Sequence, residues 1–79
     1  MELIDFLQNE GYSKLSFTLK NQSEAIIELN EVMTTNHLFE KLAMVPDRLE
    51  YYPFEAKPYL LFIIGTKRFK VYLQKNPTI

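Results

Sequence analysis

The sequence predicts one α+β domain spanning residues 1–79: a four- or five-stranded antiparallel sheet with two short helices packed on one face, in the order α-β-β-α-(β)-β-β. Three observations carry that expectation. Apolar residues alternate with period two through residues 14–29. A Gly65-Thr66 pair separates two strand-like runs. Two further segments, near residues 2–10 and 37–44, carry apolar stripes at helical spacing.

Taken in order, residues 2–10 read as a short amphipathic helix. Leu3, Ile4, Phe6 and Leu7 form its stripe, and Glu2 and Asp5 complement the helix dipole at its start. Gly11 follows where a left-handed C-terminal residue belongs. Leu15, Phe17 and Leu19 then point one way while Lys14, Ser16, Thr18 and Lys20 point the other. After a polar turn at Lys20–Ser23, Ala25, Ile27 and Leu29 alternate with Glu24, Ile26 and Glu28, which makes a hairpin with one apolar face. Thr34, Thr35 and Asn36 supply N-cap candidates for a helix over His37–Met44, with Leu38, Phe39 and Leu42 facing the core and Pro46 ending it. Asp47–Pro58 reads two ways. Leu49 and Tyr51 suit the inward side of a short strand, but Pro53 and Pro58 limit it, and Tyr52-Pro53 is a candidate cis bond.

Tyr59–Ile64, Gly65-Thr66 and Lys67–Leu73 form the clearest unit. A two-residue turn with Gly first is the type II′ pattern and fixes the register. It pairs Ile64 with Lys67, Ile63 with Arg68, Phe62 with Phe69, Leu61 with Lys70, Leu60 with Val71 and Tyr59 with Tyr72. One face then carries Leu60, Phe62, Ile64, Phe69, Val71 and Leu73, which belong to the core. The other carries Tyr59, Leu61, Ile63, Arg68, Lys70 and Tyr72, and helices on the first face leave it bare. Three outcomes are open for it. Leu49, Tyr51 and Phe54 fold across it, a second protein surface docks on it, or nucleic acid stacks on its aromatics among the cations.

Composition narrows the function classes. The chain has 79 residues, 47% apolar, with eleven Phe and Tyr side chains to enlarge a modest core. The absence of cysteine excludes disulfides and thiolate metal sites and fits a reducing, cytoplasmic setting. The acidic start lacks a signal-peptide pattern, and the longest apolar run, Tyr59–Ile64, falls far short of the ~20 residues of a membrane span. A net charge of −1 conceals an asymmetry. Residues 1–40 hold seven acids against two bases, and residues 41–79 hold seven bases against three acids. That polarity suits head-to-tail association or an anionic partner, or it disappears when the halves pack together. Lys outnumbers Arg seven to two and Asn, Ile, Phe and Tyr are plentiful, which suggests an AT-rich coding sequence, and short cysteine-free chains of this kind are common among bacterial, phage and mobile-element proteins that bind a larger protein.

Catalytic patterns are sparse. His37 is the single histidine, and no nucleophile-elbow glycines accompany Ser13, Ser16 or Ser23. His37 and Glu40 have a two-ligand spacing without a third ligand, and two glycines cannot build a phosphate cradle. The expectation is therefore a non-enzymatic module without cofactor or metal. It would bind another protein or itself, with nucleic-acid binding through Arg68, Lys70 and Tyr72 as the alternative. The stretch Tyr51-Tyr52-Pro53-Phe54-Glu55-Ala56-Lys57-Pro58-Tyr59 is stiff and aromatic, and reads as a plug for the sheet, a binding loop, or both. The expected binding residues are Tyr51, Tyr52 and Phe54 from this stretch with Tyr59, Leu61, Ile63, Arg68, Lys70 and Tyr72 from the hairpin.

Overall fold

A computed structural model describes residues 2–18 and 23–75. Helix α1 (Leu3–Asn9) is followed by strands β1 (Tyr12–Thr18) and β2 (Glu24–Glu28). A single 3-10 turn (Leu29–Glu31) leads to helix α2 (Thr35–Leu42), and then come β3 (Arg48–Tyr52), β4 (Tyr59–Ile64) and β5 (Lys67–Lys75). All pairings are antiparallel, in the spatial order β2-β1-β5-β4-β3. The expected α+β architecture is present with its fifth strand. Leu19 and most of the polar turn lie outside the described residues.

Local chemistry explains the element ends. Gly11, at φ +92°, takes the left-handed position after α1. The Thr34 hydroxyl accepts from the His37 backbone N–H at 3.1 Å and so caps α2. That helix ends earlier than Pro46. Ala43 turns left-handed at φ 55°, and the Met44 N–H reaches back to the Phe39 carbonyl at 3.1 Å, the Schellman pattern. The two helix starts are tied together. Leu3 N–H donates to the Thr35 hydroxyl at 3.1 Å, while a Glu2 carboxylate oxygen accepts from the Thr35 N–H at 2.8 Å and from its hydroxyl. These bonds hold the Glu2 carboxyl below the usual carboxylate range, the side-chain bond first and the backbone bond second.

Both helices lie on one face of the sheet. Ile4 and Leu7 from α1 and Leu38 and Leu42 from α2 are buried with Leu15, Leu60, Phe62, Val71 and Leu73. Phe39 meets Phe62 edge-on at 5.8 Å, and Phe6 meets Tyr51 at 5.4 Å. Leu29 is buried at the 3-10 turn rather than on a strand. A bulge between Tyr12 and Lys14 shifts the alternation, so Tyr12 is buried alongside Leu15.

The C-terminal hairpin has the expected register in all six pairs. Gly65 sits at φ 60° while Thr66 is not left-handed, which matches a type II′ turn. The hairpin departs from expectation at Phe69. This residue is on the core face, beside Phe62, yet 39% exposed, although Val71 and Leu73 farther along the same strand are buried. Asp47–Pro58 also departs from the covering role. Its first half is edge strand β3, paired to β4 from Arg48↔Ile63 to Tyr52↔Tyr59, with Leu49 and Tyr51 turned to the helix side. Its second half leaves Phe54 99% exposed, so Phe54 plugs nothing. No cis peptide bond occurs among the described residues, and Tyr52-Pro53 is trans.

Candidate functional site

The candidate site is the sheet face opposite the helices. Period-two geometry and the strand registers place its residues in rows that cross the sheet. One row runs Tyr52, Tyr59, Tyr72, Ser16, Ile26 through all five strands. The next runs Glu50, Leu61, Lys70, and the one beyond it Arg48, Ile63, Arg68.

The tyrosines touch. Tyr52 stacks on Tyr59 with ring centres 5.0 Å apart and planes at 23°, and Tyr59 meets Tyr72 edge-on at 6.0 Å. The Lys70 ammonium lies 4.8 Å from the centre of the Tyr59 ring. The Tyr52 hydroxyl donates to Glu50 at 2.7 Å, and Arg48 pairs with the same carboxylate at 3.0 Å. That hydrogen bond to Glu50, then burial, raises the Tyr52 phenol above its ordinary pKa, so it stays a neutral donor. The exposed Arg48–Glu50 pair adds little stability but fixes where the guanidinium sits.

The result is a ridge across β3, β4 and β5, where three large rings and the aliphatic Leu61 and Ile63 are only partly shielded. On the far side of β5 the face is low. Ser16, 5% exposed, is the small member of its row, and Gln74 donates to its hydroxyl at 3.3 Å. A hollow of ≈ 420 Å³ opens there between Ser16, Thr18, Glu24, Lys57, Tyr72 and Gln74. Ile26, 57% exposed, stands at the β2 edge.

Of the expected binding residues, this face gathers Tyr52, Tyr59, Leu61, Ile63, Arg68, Lys70 and Tyr72. Tyr51 is placed elsewhere. It lies on the helix side between Phe6 and Tyr12, 3.1 Å from the Tyr12 hydroxyl, and burial there pushes its phenol strongly upward. Phe54 is 99% exposed on the loop between Pro53 and Pro58. Arg48, Glu50, Ser16 and Ile26 join the face without being among the expected binding residues. The alternation Arg48/Glu50/Tyr52 against Leu49/Tyr51 is the signal for the first two.

His37 serves α2. Its N–H is the donor to the Thr34 cap, and its Nδ1 lies 3.5 Å from the Met33 N–H. Among the described residues no group of three His, Cys, Asp or Glu side chains converges. No helix of the described residues is long and apolar enough to cross a membrane. No known protein family, curated protein or solved structure matches this chain.

Proposed function

We propose that this chain is a non-catalytic protein-interaction module (an adaptor, subunit or inhibitor) that binds through the open sheet face. The observation that carries the reading is the Tyr52–Tyr59–Tyr72 ridge with Leu61 and Ile63 beside it, on the face opposite both described helices. Contiguous apolar and aromatic surface of this kind marks contact sites, and Tyr and Arg are over-represented among residues that dominate binding energy. Phe54, wholly exposed on a loop framed by two prolines, is a second anchor with little entropy to lose.

Stacking of nucleic-acid bases fits the face less well. Tyr59 already has Tyr52 against its ring and Lys70 over it, and Tyr72 meets it through an edge. A platform for bases needs open ring faces. The test compares wild type with Tyr72→Ala, Ile63→Asp and Lys70→Ala. In the protein-binding reading the first two lose ~2 kcal/mol or more of affinity for a captured protein, and Lys70→Ala changes it slightly. Fluorescence anisotropy with mixed-sequence single strands supplies the opposing outcome. Tight binding that weakens steeply with salt and depends on Arg68 and Lys70 would overturn the proposal.

A further inference from the structure

We propose that the outer edge of β2 receives an extended segment of another protein as an added strand, and that this segment has the pattern basic–x–apolar–x–basic. The two edges of the sheet are built differently. Along β3 run the Arg48–Glu50 pair and the bond from the Tyr52 hydroxyl to Glu50, and Pro53 follows directly. Basic side chains and prolines are devices that keep other chains off a sheet edge. The β2 strand, Glu24-Ala25-Ile26-Ile27-Glu28, has neither, and its register with β1 is regular through all its pairs, without a bulge. Its only charges are the glutamates at its two ends. Every second residue of such an edge strand turns its N–H and C=O away from the sheet, toward whatever comes alongside. Among the described residues nothing pairs there.

The side chains select the occupant. Glu24, Ile26 and Glu28 share the open face, while Ile27 packs on the helix side. Ile26 is 57% exposed, at the position where the side chain of an adjoining strand would cover it. Lys14 stands opposite Glu28 on β1, yet no ion pair to Glu24 or Glu28 forms among the described residues. A second copy fits this edge poorly. Two antiparallel β2 strands centred on Ile26 would set a Glu24 against a Glu28 at both ends, and like charges directly opposite repel. Aligned with the β3 edge of another copy, β2 would meet Arg48, Glu50 and Tyr52, with the central Glu50 against Ile26. A strand with Lys or Arg opposite each glutamate and an aliphatic residue opposite Ile26 satisfies all three positions, and the backbone ladder supplies the rest of the contact. The glutamates thus act as a filter that rejects acidic strands and the chain's own edge while admitting a basic one.

The probe is a blocked peptide, Thr-Lys-Thr-Val-Thr-Lys-Thr. Its sequence reads the same in both directions, so parallel and antiparallel pairing alike set Lys against Glu24 and Glu28 and Val against Ile26. It is titrated into the isotope-labelled full chain to about 5 mM, with amide chemical shifts and hydrogen exchange as the readout. Shifts and slowed exchange are expected in β2 and its neighbour β1. A peptide with both lysines replaced by Glu should bind at least ~10-fold more weakly, and Glu24→Lys with Glu28→Lys should reverse that preference. Both glutamates are exposed, so the double variant should keep its fold, which circular dichroism checks. No shift at the highest peptide concentration, equal binding of the two peptides, or shifts centred on Tyr59 and Tyr72 with β2 unmoved would overturn the proposal. So would β2 shifts that grow with protein concentration in the absence of peptide, because they would place a second copy on the edge. Each of these results leaves the open-face reading to its own test with Tyr72→Ala and Ile63→Asp.

Discussion

Phe62 and Phe69 face each other across the C-terminal hairpin on the same side of the sheet, yet truncating them should have unequal effects. Phe62 is fully buried, with Phe39 edge-on at 5.8 Å and Leu49 beside it on β3. Phe62→Ala removes the transfer energy and leaves a closed cavity under α2, for a loss of ~3–5 kcal/mol. Phe69 is 39% exposed, so water or neighbouring chain fills the space its ring leaves. Only the transfer of its buried part is lost, about 1–2 kcal/mol. A chain of 79 residues has roughly 4–12 kcal/mol of total stability. With a urea slope of ~1 kcal/mol/M, Phe62→Ala moves the midpoint down by ~3 M or more, which unfolds the protein outright at the low end of that range, while Phe69→Ala moves it by ~1–2 M. Equilibrium urea unfolding followed by circular dichroism measures both. Equal losses for the two variants would refute the argument, since they would mean that the helix layer seals both rings alike.

Thr34→Ala removes the cap on α2 and should lower stability by ~1 kcal/mol, read from the same urea curves. Asp47 Oδ2 accepts from the Gly65 N–H at 2.7 Å and ties the start of β3 to the hairpin turn; Asp47→Ala should cost about 1 kcal/mol and accelerate amide exchange at Gly65. The Glu2 carboxyl titrates below its ordinary value of 4.5 in the folded chain, so the stability it contributes is complete above that value and is lost as pH falls through the depressed folded pKa. Glu2→Gln should therefore flatten the fall in urea midpoint as pH drops below 4.5, and an unchanged pH profile would show that the Glu2–Thr35 bonds do not hold in solution.

The C-terminal hairpin was readable because its turn residue dictates geometry. Gly65 allows the left-handed first position, the turn fixes the pairing, and the pairing sorts every side chain between two faces. The same logic reached the open face from Tyr59 to Tyr72. It did not reach Phe69, because alternation tells which face a side chain occupies and not how far the opposing layer extends. Tyr12 was missed because the bulge after it resets the alternation. The early end of α2 was missed because Ala43 adopts a conformation that glycine ordinarily signals. Edge strand β3 was ambiguous for a chemical reason. Prolines block ladder donors, and Pro53 and Pro58 bound a loop that begins only after Tyr52 has paired with Tyr59.

The place of β5 in the sheet sets the order in which the chain can assemble. It is the last strand in sequence and the middle one in space, bonded to β1 on one side and β4 on the other. The β1–β2 hairpin can form early by local contact, as can β3–β4, but neither has its inner neighbour until Val71 and Leu73 arrive. Joining β1 to β5 closes a loop that spans most of the chain, from Leu15 to Leu73. Such distant pairing slows folding relative to a sheet of consecutive hairpins. During synthesis the nascent chain would therefore hold two separate half-sheets with unpaired inner edges, and a single late event would join them.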